Sequence, residues 1–211
     1  NGIWLNEAFA TFMEMKAVEA YRPDWEVWAG FGAARTSALD VDSLAATRPI
    51  EYPVVTPEDA EGMFDVLTYE KGAAVVRMLE QFLGEDVFRD GVRRYLAEHL
   101  HGNTDNEDLW DALEAASGQP VRDLMHAWIF RGGHPLVEVV DDDDGPLRLV
   151  QSPFRYDGED DGTRWSIPVR LRTATGEHRM LLDPSATTTV VDAVADIAEV
   201  RSLNADASGF Y

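Results

Sequence analysis

PVRDLMHAWIFRGGHPLVEVV, residues 120–140, carries two hydrophobic rhythms in one stretch. Up to Arg131 the residues follow helical spacing, and from Gly132-Gly133-His134-Pro135 onward apolar and polar positions alternate as they do in a strand. Everything upstream of this point reads as helix. In WLNEAFATFMEMKAVEAY, residues 4–21, Trp4, Leu5, Ala8, Phe9, Phe12, Met13 and Met15 to Ala17 fall mainly on one face, and Arg22-Pro23 closes the run. A second run over 24–44 carries Trp25, Val27, Trp28, Phe31 and Leu39, with glycines at 30 and 32 weakening its helical pattern. Pro49, Pro53 and Pro57 then interrupt any helix. Thr56-Pro57-Glu58-Asp59 is a helix start, with a capping residue, proline at the first position and acids in the first turn. Further helices are expected over 64–83, 85–100, 106–117 and 120–131, each with a glycine stop.

Downstream, strands are expected over 136–140, 147–151, 165–172, 178–182, 188–191 and 198–203, with a turn at Asp141-Asp142-Asp143-Asp144-Gly145. Six short strands without helical pattern between them imply a small antiparallel sandwich. The four-Asp run lacks the alternating ligand spacing of a calcium loop and reads as a solvated turn. The chain divides at this change of rhythm into a helical part, residues 1–134, and a β-sandwich, residues 135–211.

The 211 residues can bury a core of their own. There is no Cys, so disulfides, thiolate metal sites and a cysteine nucleophile are excluded within them. A formal charge of −21, spread over both halves, disfavours nucleic acid as a general partner. No apolar stretch approaches a bilayer span, so no membrane partner is expected either. The sequence opens on Asn1 and runs at once into an amphipathic segment, as a piece of a longer protein would. Cytoplasm is the default compartment where no anchor is visible.

The five histidines suggest no local metal site: His99 and His101 point apart at a helix end, while His126, His134 and His178 are isolated surface or capping residues. No H-E-x-x-H, phosphate loop or G-x-S-x-G occurs. Two segments nonetheless carry chemistry. Trp4-Leu5-Asn6-Glu7-Ala8-Phe9-Ala10 resembles the W-L-N-E-G/A-F-A signature of the zinc aminopeptidases of family M1, the aminopeptidase N family of gluzincins. Phe64-Asp65-Val66-Leu67-Thr68-Tyr69-Glu70-Lys71-Gly72-Ala73 resembles that family's F-D-x-I-x-Y-x-K-G-A stretch. Weaker likenesses, at 123–128, 134–139, 165–169, 203–205 and 209–211, extend the resemblance over nearly the whole chain.

The resemblance implies an α+β, multidomain protein, in which the helical part is the C-terminal portion of a thermolysin-like catalytic domain and the strands are the family's sandwich. It implies that Glu7 is a zinc ligand and that Tyr69 hydrogen-bonds the tetrahedral intermediate. Both histidine ligands and the general-base Glu would then precede Asn1, so this stretch alone is expected to be inactive. A lone acid near a helix start would otherwise be read as serving the helix dipole, and a lone Tyr as a half-buried anchor. Lys71 and Asp65 are expected to hold local structure, and Asn6 to support the metal ligand. Arg48, in Arg48-Pro49-Ile50, stands where the family often has His. The substrates implied are peptides with a free N-terminus. Two alternatives stay open: a catalytically dead relative acting as scaffold or peptide-binding module, and an epoxide-hydrolase-type branch of the family.

Overall fold

The structure is a computed structural model that describes residues 2–140, 147–174, 176–191 and 200–203. Helix α1, Ile3–Tyr21, buries Trp4, Ala8 and Phe12 at four-residue intervals. This stripe is narrower than the sequence pattern suggests, because Met13 turns outward at 46% exposure. Phe12 meets Trp28 at 5.9 Å and Phe88 at 5.6 Å between ring centroids. Such rings contribute about 1.5–3 kcal/mol each when fully buried. After a 3₁₀ turn, Pro23–Trp25, helix α2 runs without interruption over Val27–Asp42. Gly30 and Gly32 do not break it, since Trp28, Phe31 and Ala38 pin it to the core.

Helix α3, Pro57–Glu61, starts with the reciprocal Thr56 and Asp59 cap read from the sequence. The expected 64–83 helix is not uniform: a π-helical turn, Leu67–Lys71, precedes helix α4, Gly72–Leu83. Gly84, at φ 88°, ends α4. Helix α5, Glu85–Glu98, pairs with helix α6, Asn106–Ser117, which begins with a second capping box at Asp105 and Asp108 and stops at Gly118, φ 66°. Helix α7, Val121–Ile129, is the last among the described residues.

Strand β1, His134–Val140, follows directly and pairs antiparallel with β2, Arg148–Phe154, which pairs with β5, Thr188–Val190. Strand β3, Ile167–Thr173, lies between β4, Glu177–Leu182, and β6, Val200–Leu203. The two three-stranded antiparallel sheets contribute Leu149, Val169, Leu171 and Leu182 to one apolar cluster. Gln151, buried on β2, joins them: its Oε1 accepts from Trp165 N at 3.0 Å, and its Nε2 donates to Asp183 O and Ala186 O. The turn expected at 141–145 and the motif residues 204–205 and 209–211 lie outside the described residues.

The same cluster continues into the helices. Trp128 Nε1 donates to Ser166 O at 2.8 Å, and its ring lies 6.3 Å from that of Trp165. Tyr156 donates to Asp40 on α2 at 2.6 Å. Helices and strands are thus joined by apolar packing as well as by the chain itself.

Candidate functional site

Glu7 sits on the half-buried flank of α1, beside the stripe that anchors the helix. That stripe is held in place by a polar relay. Trp4 Nε1 donates to Asn106 Oδ1 at 3.0 Å, Asn106 Nδ2 donates to Glu51 Oε2 at 2.6 Å, and Glu51 Oε1 accepts from Gly2 N at 3.2 Å. The acid at the start of α1 is therefore the buried Glu51, which takes the Gly2 amide just ahead of the helix, and the first turn of α1 contains no acid. Glu7 lies beyond the first turn, so it does not serve there. Among the described residues it forms no ion pair with Lys or Arg.

Tyr69 projects from the π-turn. Turns of this kind insert an extra residue and re-aim side chains, and here the Gly72 N–H reaches back five residues to Leu67 O. Both ends of the turn are braced. At its start, Asp65 Oδ1 accepts from Leu67 N at 2.9 Å and Thr68 N at 3.2 Å. Arg48 Nη2 donates to that same oxygen at 2.6 Å and to Thr68 Oγ1 at 3.1 Å, while its Nη1 holds Pro49 O and Ile50 O. Arg48 thereby secures the segment that presents Tyr69.

At the other end Lys71, fully buried, lies 2.7 Å from Asp42 Oδ2 and donates to Gly133 O at 3.0 Å. Asp42 also accepts from Thr47 Oγ1 at 2.7 Å and Gly133 N at 2.9 Å. Burial alone would raise the Asp42 pKa, but the Lys71 charge and hydrogen bonds from His134, Lys71 and Thr47 hold it well below the usual range. His134, read from sequence as an isolated surface or capping residue, is instead buried with Nδ1 3.5 Å from Asp42. The approach of α2 to the helix–strand junction puts it there. Asp42 itself carried no signal in the sequence beyond being an acid at a helix end.

Glu7 and Tyr69, far apart in the chain, are carried by α1 and the π-turn, which pack against each other. Desolvation raises the Tyr69 pKa, and a hydrogen bond to the Glu7 carboxylate with the charges of Glu7 and Glu70 adds to it. Glu70 is itself raised, first by burial and further by Asp65. Among the described residues no three His, Cys, Asp or Glu side chains converge. A catalytic zinc takes three protein ligands, so Glu7 fits as one oxygen donor and cannot hold the ion by itself. Asn6 is exposed and makes no hydrogen bond to Glu7 among the described residues. Two clefts, about 900 Å³ between α7 and β4 and about 600 Å³ along α1 and α5, are not lined by Glu7 or Tyr69.

Comparison with known proteins bears on the same segments. The family model for the Peptidase family M1 domain matches residues 1–128. Over its full length the chain is 41% identical to the tricorn protease-interacting factor F2 of Thermoplasma volcanium, covering 26% of that protein. It is 36% identical to aminopeptidase 2 of Candida albicans, over the whole chain and 23% of that protein. Aminopeptidase M1 of Arabidopsis thaliana is 39% identical over 84% of the chain and 20% of its own length. The chain thus spans about a quarter of the length of these curated relatives.

Proposed function

The chain belongs to peptidase family M1, and from that premise we propose that it forms part of a zinc-dependent aminopeptidase removing N-terminal residues from peptides with a free N-terminus. The observation that carries this reading is the packing of α1, which bears Glu7, against the π-turn that bears Tyr69. Glu7 supplies one metal ligand, and Tyr69 donates its hydroxyl proton in a hydrogen bond to the developing oxyanion. Zinc, when bound with an open position, makes water a nucleophile at neutral pH. Two histidines and a general base from outside these residues complete the site, so this stretch alone is expected to bind zinc weakly and to be inactive. With the reading go the division into a helical, thermolysin-like portion, residues 1–134, and a sandwich, residues 135–211, and a cytoplasmic location. Among the described residues no helix is long and apolar enough to cross a membrane.

Hydrolysis of an N-terminally unblocked leucine anilide by the full-length protein, with and without a zinc chelator, tests the proposal. Chelator-sensitive cleavage that vanishes when the amine is blocked is the expected result. In that protein Glu7→Ala should lose the metal, whereas Tyr69→Phe should keep it and lower kcat by about 10²–10³-fold, as loss of an oxyanion donor does. Unchanged zinc content and turnover in both variants would overturn the site assignment. A folded, zinc-loaded protein that leaves the anilide intact points to the hydrolase branch, and one that neither cleaves nor holds zinc points to a scaffold.

A further inference from the structure

We propose that Ala8 and Gly72 form a steric gauge that sets the separation of Glu7 from Tyr69, making both positioning residues for the reaction. The inference rests on the reading of Glu7 and Tyr69 given above. A Cβ placed on Gly72 would lie 2.6 Å from Ala8 Cβ and 3.8 Å from Ala8 Cα, with Ile50 Cγ2 3.9 Å away. Carbon atoms do not approach to 2.6 Å without a bond, so α1 and α4 meet here backbone against methyl. The contact is enclosed, since Ala8, Gly72 and Ile50 are all buried. An alanine methyl has no rotamer through which to step aside. Extra volume at position 72 must therefore move one helix against the other or deform the turn between them.

The two reacting side chains are tied directly to this point. Glu7 is the residue before Ala8, and Gly72 closes the π-turn through its hydrogen bond to Leu67 O. With Arg48 and Asp65 holding the start of the turn and Lys71, next to Gly72, tied to Asp42 and Gly133, a displacement at the contact must be taken up between these two anchors, in the stretch that carries Tyr69. Misplacement of a catalytic group by about 1 Å costs on the order of 10²-fold in rate. Small residues at both positions are thus a requirement of spacing, beyond the needs of core packing.

The test uses the full-length protein, with kcat and KM measured well below the melting temperature and referred to zinc-loaded enzyme. Gly72→Ala should lower kcat on the order of 10²-fold, with KM and zinc content close to wild type. Ala8→Gly introduced into Gly72→Ala removes the atom that the new methyl meets and should recover most of that loss. Combined with Tyr69→Phe, Gly72→Ala should cost almost nothing further in kcat, because the displaced group is already absent. A general loss of structure would multiply the two losses instead. Should Gly72→Ala yield no folded protein, Ala8→Ser enlarges the same contact from α1 and carries the same expectations. A full Tyr69→Phe defect with either wild-type kcat in Gly72→Ala or multiplying losses overturns the gauge alone. An unchanged kcat in Tyr69→Phe overturns the gauge together with the site reading.

Discussion

Asp42, Lys71 and Glu80 of the helical layer are all but fully buried, whereas the charged cluster of the strands, Arg170, Arg172, Glu177 and Arg179, lies along β3 and β4 with the Glu177 side chain 29% exposed. The two lysines of the chain both serve buried carboxylates, Lys16 pairing with Glu80 and Lys71 with Asp42. A buried pair gains little over apolar residues of the same volume, yet removing one partner is costly because the other charge stays behind without compensation. Exposed pairs contribute at most about 1 kcal/mol. The helical layer therefore holds groups in particular places through its polar interior, while the strands are held by apolar packing and the Gln151 bridge. The proposed site residues, Glu7 and Tyr69, both sit in the helical layer.

The sharpest way to break the comparison is Lys71→Met. It leaves Asp42 with Thr47, Gly133 N–H and His134 but no cation at 2.7 Å. A loss of about 3–5 kcal/mol is expected, read as a drop in the urea midpoint at neutral pH. The sign with pH follows from the depressed Asp42 pKa. The stabilisation is complete above the ordinary Asp value, about 3.9, and is lost as pH falls toward the lower folded value. In Lys71→Met the same carboxyl is buried without its cation and is relieved by protonation. The gap between wild type and variant should thus be full at neutral pH, begin to narrow as the variant's carboxyl takes up its proton, and close only as pH falls below the ordinary Asp value toward the depressed wild-type one. A gap independent of pH would mean that Lys71 acts through its packing alone.

Much of the helical layer could be read from the sequence because its ends are marked by local chemistry. Thr56 with Asp59, Gly84 and Gly118 each act within a few residues, and α6 begins and ends where its pattern does. The π-turn could not be read, for it widens a helix without a hydrophobic period of its own. Nor could the role of Asp42, whose partners Lys71, Gly133 and His134 come from other elements. Glu7 and Tyr69 were found through the company they keep, and the contact that joins them shows in sequence only as two small residues, Ala8 and Gly72. Arg48 had an identity but no place until Asp65 and Thr68 were seen beside it. On the strand side alternation located every described strand to within a few residues, but the side-chain bridge of Gln151 depends on how the sheets face each other.

Gln151→Leu examines that bridge and should have an intermediate effect. The substitution keeps approximate volume and strips partners from Trp165 N, Asp183 O and Ala186 O, in a place where Gln151 itself is 1% exposed. Of these only Trp165 N is buried and left unpaired, since Asp183 O still accepts from Ala186 N at 3.1 Å; one such group costs about 1–3 kcal/mol, and a urea titration should show a fall smaller than that of Lys71→Met. Zinc content in the full-length protein should stay unchanged, because the bridge touches neither Glu7 nor the π-turn. Loss of zinc here would show that the strands position the site directly, and the contrast between the two layers would fail.

Glu177→Gln should have the smallest effect and tests the exposed side of the comparison. Hydrogen bonds from Arg170 and then Arg179 pull the Glu177 pKa down to about 2. So depressed a value looks like a strong contribution, but the carboxylate is part-exposed and two of its partners, Arg172 and Arg179, are about half exposed, where salt and water screen them. The expected loss is below about 1 kcal/mol at neutral pH. It should shrink as pH falls from the ordinary Glu value, about 4.3, toward 2, and fade further in 1 M salt, where the screening length is about 3 Å. The Lys71→Met defect, enclosed by protein, should keep its size in the same salt. A Glu177→Gln defect equal to that of Lys71→Met and insensitive to salt would remove the distinction between charges that fix geometry and charges that decorate a surface.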